Sequence, residues 1–328
     1  MKAIVIEGAD LRLRADLPVP VAGPDDLLVR VHAAGVNYAD LMRKPSHFGA
    51  ASSGPAIAGL ELAGAVVGVG RNVRGFAPGD RVMAMDGGAY AEFAVLDHRL
   101  VARVPERLGW PEAAAVMVSF MTAHDALCTQ GRFVAGDAVL VQGCTSGVGI
   151  AAAQLAAYLH ASHVIGTSTT AAKLAAMKYW GVDVPVNVRQ QSVAEATSAA
   201  TGGAGVAVIV DAVGGAAAAD NLAAAAIGAR WITVGRVDGK SAQIELNEFA
   251  RKRLELIGVT FRTRSLFERI RVVERFTASV LPALASAALK PKVDRVFELA
   301  DATAAQDHVR SGKHFGKVVL QIAGIGLE

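Results

Sequence analysis

The chain has 328 residues, which is longer than one ordinary domain and predicts two. Hydrophobic residues make up 52% of it and charged residues 19%, a balance that excludes an intrinsically disordered chain. The formal net charge of +3 comes without a long run of Lys and Arg and without aromatics between basic residues, so we expect no nucleic-acid partner.

Membrane segments and disulfides are not expected either. Residues 1–7 are typical of a strand with an early charge rather than of a signal peptide, and the long apolar runs are broken by Gly or a polar residue. The two cysteines, Cys128 and Cys144, cannot form a disulfide framework or a four-cysteine zinc site. We therefore expect a cytoplasmic protein with no membrane partner.

Short β-type runs, separated by Pro and Gly clusters, fill the N-terminal region. The predicted strands are 2–6, 27–34, 64–69, 81–85, 89–95 and 100–104. This pattern predicts a β-rich domain.

From Ser119 onward, strands and helices alternate. The predicted strands are 138–141, 162–167, 206–211 and 230–234, and the predicted helices are 149–159, 171–180 and 221–226. Alternation at this spacing predicts a parallel sheet with helices on both faces. A long helix is then predicted over 267–289, followed by the segment 292–299 and a final strand over 317–322.

The most informative stretch is 138–159, which reads AVLVQGCTSGVGIAAAQLAAYL. An apolar run leads into a glycine-rich turn and then a small-residue helix, the context in which a glycine motif indicates dinucleotide binding. Gly143, Gly147 and Gly149 allow a tight turn and let a pyrophosphate approach the first amides of the helix. The alternative is a plain tight turn, and the pattern downstream favours the cofactor site.

The end of the next strand indicates which dinucleotide is bound. Units that prefer NAD carry an acidic residue there, which binds the ribose 2′-hydroxyl. In this chain the strand is followed by Ser168 without an acid, and then by Lys173 and Arg189. A hydroxyl with cations suits a 2′-phosphate, so NADPH is the predicted cofactor. The alternative is that both cations are ordinary solvated side chains.

Several further segments extend the pattern over nearly the whole chain: AAGVNYADLMRK, GLELAGAVVGVG, FAPGDRVMA, GAYAEF, GCTSGVG, VIVDAVGG and HFGKVVL. On these segments the chain resembles the zinc-independent branch of the medium-chain dehydrogenase/reductases, the quinone oxidoreductase and ζ-crystallin-like group. One departure is Ser146, where the family turn usually has glycine.

This resemblance implies an α/β fold in two domains. A GroES-like β-rich catalytic domain would comprise 1–117 and 262–328. A Rossmann dinucleotide-binding domain, with a doubly wound parallel sheet, would comprise 118–261. The resemblance also implies a homodimer formed through the edge strand of the Rossmann sheet, around 244–261.

No metal is expected. Alcohol-dehydrogenase relatives hold a catalytic zinc with a Cys where this chain has Asn37 and a His where it has Leu60. Zinc needs three protein ligands plus an open position, and Glu61 with scattered histidines offers no recognisable ligand spacing. Without zinc, hydride transfer is easiest to an electron-poor acceptor, so a quinone or an α,β-unsaturated carbonyl is the predicted small-molecule substrate.

The motif and the resemblance together imply a set of cofactor-binding residues. The pyrophosphate is assigned to Gly147, Val148 and Gly149, the 2′-phosphate to Ser168, Lys173 and Arg189, adenine and ribose to Val213 and Gly214, and the nicotinamide side to Gly235, Arg236 and Thr122. Ser146, in the same turn as Gly147, is also predicted to bind the cofactor. Lys317 is implied to face the cofactor, and the alternative is a charge at a strand edge.

Asn37 and Tyr38 are the predicted catalytic residues. The Asn37 amide would donate to an oxygen of the quinone or enone, and the alternative is that Asn37 caps a following helix over 38–43. Tyr38 would supply a proton after hydride transfer, or would only pack.

The predicted function is NADPH-dependent reduction of quinones or enones. An enoyl-thioester reductase is the main alternative, for which Arg43, Lys44, Arg262 and Arg264 would line a basic groove. The other alternative is a crystallin-like protein that keeps the NADPH site without turnover.

Overall fold

A computed structural model describes residues 1–42 and 55–322. The chain divides into two compact units. The first comprises the described parts of Met1–Val118, Arg262–Ala285 and Pro291–Glu328. The second comprises Ser119–Phe261 together with Ser286–Lys290.

Both units contain β-strands among the described residues. In chain order the strands are β1 (Ala3–Glu7), β2 (Asp10–Arg14), β3 (Asp26–Val36), β4 (Leu62–Val69), β5 (Arg81–Ala84), β6 (Phe93–Asp97), β7 (Val101–Arg103), β8 (Ala138–Gln142), β9 (His163–Ser168), β10 (Val184–Asn187), β11 (Val206–Asp211), β12 (Ala225–Thr233), β13 (Glu255–Gly258), β14 (Val293–Glu298) and β15 (Lys317–Gln321).

The α-helices follow the same order. They are α1 (Trp110–Ala113), α2 (Met117–His124), α3 (Gly147–Tyr158), α4 (Ala171–Leu174), α5 (Val193–Thr201), α6 (Ala218–Ala224), α7 (Leu246–Arg251), α8 (Leu266–Ser279), α9 (Leu281–Ala285) and α10 (Ala302–Arg310). Tyr38–Met42 and Met177–Trp180 form 3₁₀ helices, and Asp125–Gln130 forms a π-helix. Within the part of the chain that is described, no helix is both long and apolar enough to cross a membrane.

The second unit contains a six-stranded parallel sheet in the order β10-β9-β8-β11-β12-β13. When the strands are renumbered in chain order with β8 as the first, this is the order 3-2-1-4-5-6 of the Rossmann fold. The predicted doubly wound sheet is therefore confirmed. The central strand β8 is buried at all five residues, as expected for a strand covered on both faces. The strand order reverses between β8 and β11, and ligands bind such sheets at the carboxyl ends of the strands beside that point.

The first unit is built on a seven-stranded sheet in which β14, β15, β3, β4, β5 and β7 are neighbours in that order, and β6 also pairs with β3. The first half of β3 alternates buried and partly exposed residues, so one face lies on a core. The fully buried core residues of this half are Leu27, Val29 and Val31. Antiparallel pairing of β15 with β3 joins Val318 to Val36. This register places the adjacent residues, Lys317 and Asn37, opposite each other.

Three predicted helices are wrong in their extent. The helix predicted over 171–180 is divided into α4 and the separate 3₁₀ helix Met177–Trp180. In place of one helix over 267–289, the structure has α8 and α9 with a break between them. Pro282 lies in the first turn of α9, where its missing N–H is tolerated, whereas inside a continuous helix it would remove a hydrogen bond. The helix predicted over 221–226 ends early because Ala225 is extended and begins β12. Pairing of β12 with β11 there overrides the high helix propensity of alanine.

Candidate cofactor-binding and active-site residues

The glycine turn links the end of β8 to the first turn of α3. Ser146 is the N-cap of α3: its Oγ accepts a hydrogen bond from the Gly149 amide at 3.1 Å and donates one to the Gly143 carbonyl at 2.9 Å. A Cβ at Gly149 would lie 2.3 Å from the Gly143 carbonyl oxygen and 2.7 Å from Cα of Cys144. A side chain at Gly149 would therefore push the helix away from the turn.

The first turn of α3 presents backbone amides to an anion. The first hydrogen bond of the helix runs from the Ile150 amide to the Ser146 carbonyl at 2.8 Å. The amides of Gly147 and Val148 precede it, and amides in this position have no partner within a helix. The helix dipole also favours negative charge at this end. The turn therefore fits a phosphate group, and its assignment to the pyrophosphate stays a prediction.

Ser168 lies at the carboxyl end of β9, where the predicted 2′-phosphate site begins. Its Oγ accepts a hydrogen bond from the Thr170 amide at 3.3 Å, and Thr170 precedes α4, which carries Lys173. Pairing of β9 with β10 sets Ser168 opposite Asn187, two residues before the exposed Arg189. The structure thus brings Ser168 and Arg189 to one edge of the sheet, with Lys173 on the helix that starts there. Their contact with a 2′-phosphate stays a prediction.

Two more predicted loops meet at Asp211, the last residue of β11. Its Oδ1 accepts hydrogen bonds from the amides of Val213 and Gly214, each at 2.9 Å. Its backbone carbonyl accepts one from the Gly235 amide at 3.1 Å. A Cβ at Gly214, whose φ is +78°, would lie 3.1 Å from Cα of Arg236. The two loops therefore pack against each other beyond the carboxyl ends of β11 and β12.

Most of the predicted cofactor-binding residues thus share one location, the carboxyl edge of the parallel sheet. Thr122 and Lys317 are on other elements of the chain. Thr122 is on α2 in the second unit and is 8% exposed. Lys317 begins β15 in the first unit and is buried. The cofactor roles of both residues stay predictions.

A buried ion pair lies at the start of β15. The Lys317 ammonium donates to Glu61 Oε2 and to Asn37 Oδ1, each at 2.5 Å, and Glu61 is fully buried. Because an ammonium can only donate, the Asn37 carbonyl must face it. The Asn37 amide nitrogen then donates to Glu61 Oε2 and to the Gly35 carbonyl, each at 3.3 Å. Glu61 Oε1 accepts from the Val118 amide at 2.8 Å.

This network bears on the roles predicted for Asn37. Its amide N–H groups are directed at protein oxygens, so donation to a substrate oxygen would require one of the 3.3 Å bonds to be shared or broken. The alternative, in which Asn37 caps the following helix, does not fit its side chain. The described hydrogen bonds of that side chain are made with Lys317, Glu61 and Gly35, not with the 3₁₀ helix Tyr38–Met42. The Tyr38 side chain, by contrast, is 45% exposed.

Asp40 is a candidate that the sequence interpretation missed. Its Oδ2 accepts hydrogen bonds from the backbone N–H of Asn37 at 2.7 Å and from the Tyr90 hydroxyl at 3.0 Å, while Oδ1 is buried without a hydrogen-bond partner among the described residues. Burial raises the pKa of Asp40 to about 7, against the opposing effects of those two bonds and of Lys317. Burial and the neighbouring Asp40 also raise the pKa of Tyr90 well above its ordinary value. Asp40 can therefore hold or release a proton near neutral pH.

The residues at the positions of the zinc ligands in alcohol-dehydrogenase relatives do not fit a zinc ion. The Asn37 carbonyl is bound to the Lys317 ammonium, and Leu60 has no ligating atom. Glu61 is paired with the same ammonium, which would repel a second cation. In residues 1–42 and 55–322, no group of three His, Cys, Asp or Glu side chains could hold a metal ion.

Comparison with known proteins decides the family. Residues 23–106 match the family model of the alcohol dehydrogenase GroES-like domain, and residues 147–279 match that of the zinc-binding dehydrogenases. Over 310 residues the chain is 30% identical to quinone oxidoreductase-like protein 2 of Bos taurus, a match that covers 93% of this chain and 87% of that protein. The chain belongs to the quinone oxidoreductase-like family of medium-chain dehydrogenase/reductases.

This quinone oxidoreductase-like chain is also similar to two proteins that bear on its cofactor and substrate. A mycobacterial protein solved in complex with NADPH matches it with a TM-score of 0.86 and 31% identity, over 98% of this chain and 100% of that one. NorB, of the spectinabilin polyketide synthase system of Streptomyces orinoci, is 33% identical over 299 residues, which is 90% of this chain and 13% of NorB. The predicted α/β fold, with a GroES-like domain and a Rossmann sheet, is confirmed, and the chain is an oxidoreductase by family.

Proposed function

We propose that this quinone oxidoreductase-like chain binds NADPH and reduces a quinone or an α,β-unsaturated carbonyl without a metal ion. The observation that carries the proposal is the turn at the end of β8, where Ser146 caps α3 and the amides of Gly147 and Val148 precede its first intrahelical hydrogen bond. Backbone amides at a helix N-terminus bind phosphate groups. The NADPH complex of the mycobacterial relative supports the same cofactor.

The preference for NADPH over NADH rests on the end of β9. Ser168 ends that strand, Lys173 lies in α4, and Arg189 follows β10. The segment from Ser168 to Lys173 contains no acid that could bind a ribose 2′-hydroxyl. A hydroxyl and two cations can instead bind a 2′-phosphate. These three residues are the proposed 2′-phosphate site.

When bound, NADPH supplies a hydride to the acceptor. The chain's own part is to hold the reactants close and aligned, and to stabilise the negative charge that develops on the acceptor's carbonyl oxygen. Asn37 and Tyr38 are the proposed donors to that oxygen, and the Tyr38 side chain is exposed enough to reach a small molecule. A quinone or enone carries its own electron sink, so its reduction needs no metal ion as a Lewis acid. This agrees with the pairing of Glu61 to the Lys317 ammonium rather than to a metal ion.

Reduction of enoyl thioesters is the second candidate function. It is favoured by the similarity to NorB, because polyketide synthases carry their substrates as thioesters. The basic groove would then use Arg262 and Arg264, together with Arg43 and Lys44, which lie outside the described residues. A protein that binds NADPH without turnover is the third candidate, and the cytoplasmic location and the homodimer stay predictions.

Oxidation of NADPH, followed by absorbance with a panel of quinones, enones and enoyl thioesters, separates these functions. We expect turnover with a quinone or an enone. Turnover with enoyl thioesters alone would select the second candidate. Binding of NADPH without turnover on any acceptor would select the third. Tighter binding of NADH than of NADPH, measured by nucleotide fluorescence, would contradict the choice of cofactor.

A further inference from the structure

A chain of buried hydrogen bonds runs beneath the cofactor-binding loops of the second unit. The Gly143 amide donates to Thr167 Oγ1 at 3.1 Å, and that hydroxyl donates to Gln142 Oε1 at 2.5 Å. Gln142 Nε2 donates to Asn221 Oδ1 at 2.8 Å, and Asn221 Nδ2 donates to Asp211 Oδ2 at 3.0 Å. All four side chains are at most 2% exposed. None of them was predicted as a cofactor-binding residue.

The charge of Asp211 fixes the direction of every bond in this chain. A carboxylate only accepts, so Asn221 must turn its NH₂ toward it and its carbonyl toward Gln142. Gln142 must then present its own NH₂ to Asn221 and its carbonyl to Thr167. The Thr167 hydroxyl is thereby committed as a donor, and its lone pair is left to accept from the Gly143 amide. One carboxylate therefore sets the orientation of a backbone amide four hydrogen bonds away.

Each end of the chain holds the backbone of a predicted cofactor-binding loop. At one end Gly143, with φ of +69°, opens the glycine turn. At the other end Asp211 Oδ1 accepts from the amides of Val213 and Gly214. The two loops also touch, because a Cβ at Gly143 would lie 3.3 Å from Cγ2 of Val213. The side chains cross the carboxyl ends of β9, β8 and β11, at the point where the strand order of the sheet reverses.

We propose that Thr167, Gln142 and Asn221 are positioning residues that lock the glycine turn and the loop at Val213 and Gly214 into one arrangement before the dinucleotide binds. A fully satisfied buried network rigidifies the groups that it joins. A pre-formed site binds more tightly because less ordering has to accompany binding. The inference rests on the proposed binding of NADPH to these loops.

Thr167→Val tests the proposal, because it keeps the shape of the side chain but leaves the Gly143 amide and Gln142 Oε1 unpaired. We expect this variant to weaken NADPH and NADH by the same factor of about ten or more, since the turn meets the part that the two dinucleotides share. Thr167→Ser restores the hydroxyl and should bind within about threefold of the native protein. Dissociation constants are measured by nucleotide fluorescence, at a temperature where the unfolding curve shows each variant to be folded.

The matched control is Thr197→Val on α5. Thr197 is fully buried in the same unit, and its Oγ1 has no hydrogen-bond partner among the described residues. The same chemical change there should leave both dissociation constants unchanged. Should Thr167→Val fail to fold, Gln142→Met provides the same test from the middle of the chain, with an expected loss of about three- to tenfold.

Native affinity in a folded Thr167→Val or Gln142→Met variant would overturn the inference and leave the proposed function intact. Loss of NADPH binding alone, with NADH unaffected, would also overturn it, because the effect would then lie at the 2′-phosphate. A native protein that binds neither dinucleotide would overturn the proposed function and the inference together.

Discussion

The two units bury a carboxylate in different ways. In the first unit, Glu61 meets a charge of opposite sign, the Lys317 ammonium, at 2.5 Å. In the second unit, Asp211 meets four neutral donors at 2.9–3.0 Å. These are the amides of Val213 and Gly214, Asn221 Nδ2 and Trp231 Nε1. Neutralising the carboxylate therefore leaves a buried charge, the Lys317 ammonium, in the first unit, but only unpaired neutral donors in the second.

The difference suits what lies around each carboxylate. Asp211 lies beside loops that are proposed to bind an anion. Backbone amides of those loops donate to it, so its pairing there needs no long cationic side chain. Glu61 lies in the first unit among side chains from distant parts of the sequence, where the long Lys317 side chain can reach it. Two substitutions test this comparison directly, and two further ones, with equal or smaller expected effects, test a third buried carboxyl and the proposed 2′-phosphate site.

Glu61→Gln should have the largest effect. The amide keeps the volume of the side chain and can still accept from the Val118 amide, but it leaves the Lys317 ammonium buried without a counter-charge. We expect the free energy of unfolding, measured by urea denaturation, to fall by about 3–5 kcal/mol. Glu106→Gln, the same change at an exposed residue, should cost less than about 0.5 kcal/mol. Equal stabilities of the two variants would show that the ion pair does not matter to the fold.

Asp211→Asn makes the same chemical change in the second unit and should destabilise less. One atom of the new amide still accepts, but its NH₂ faces two of the four donors and leaves them unpaired. We expect a loss of about 2–4 kcal/mol in the free energy of unfolding. Asp238→Asn in an exposed loop position is the control. A larger loss than that of Glu61→Gln would reverse the comparison between the units.

Asp40→Asn tests a third buried carboxyl, whose raised pKa makes it pH-dependent. Because the folded-state pKa of about 7 lies above the ordinary 3.8, the folded protein holds this proton more tightly than the unfolded chain does. The stability that Asp40 contributes is full below about pH 4 and is lost as the pH rises through about 7. An amide cannot ionise. Between about pH 4 and about pH 7, the free energy of unfolding of the native protein should therefore fall by about 2–4 kcal/mol more than that of the variant. Parallel pH profiles of the two proteins, measured by denaturation, would contradict this assignment.

Lys173→Glu concerns the cofactor side of the second unit and should have the smallest effect. It places a negative charge at the proposed 2′-phosphate site and should weaken NADPH at least about tenfold, or about 1.4 kcal/mol. NADH should change by less than about threefold. Lys178→Glu, at an exposed residue of the following 3₁₀ helix, is the control and should leave both affinities near native. Equal losses for the two dinucleotides would show that Lys173 is not at the 2′-phosphate.

The parallel sheet and its glycine turn were predictable because their signals are local. Apolar strands alternate with helices over short spacings, and the turn from Gly143 to Gly149 is contiguous in sequence. Pro282 is also a local signal, and the helix predicted over 267–289 is wrong because a continuous helix cannot accommodate this proline without losing a hydrogen bond. Local chemistry therefore sufficed for four of the six strands of the second unit, β8, β9, β11 and β12, and for its candidate cofactor loops, but not for the edge strands β10 and β13.

The buried networks were not predictable. Lys317 and Asn37 are 280 positions apart, and only the register of β15 on β3 brings them together. Asp40 and Tyr90 are 50 positions apart, and burial of their contact is what raises both pKa values. No motif or periodicity encodes a pairing over such distances. The hydrogen bond from Thr167 to Gln142 was not predictable for the same reason, because it forms only when two neighbouring parallel strands end at the same edge of the sheet.

The ion pair also has a consequence for how the protein is made. The second unit is inserted within the sequence of the first, so a ribosome completes Ser119–Phe261 before it reaches Lys317. Until that residue emerges, the nascent first unit carries Glu61 without its cation. The buried carboxylate of the second unit, Asp211, draws its donors from within Ser119–Phe261, so its pairing needs nothing that is still to be translated. The carboxylate of the unit that begins second can therefore be paired before that of the unit that begins first.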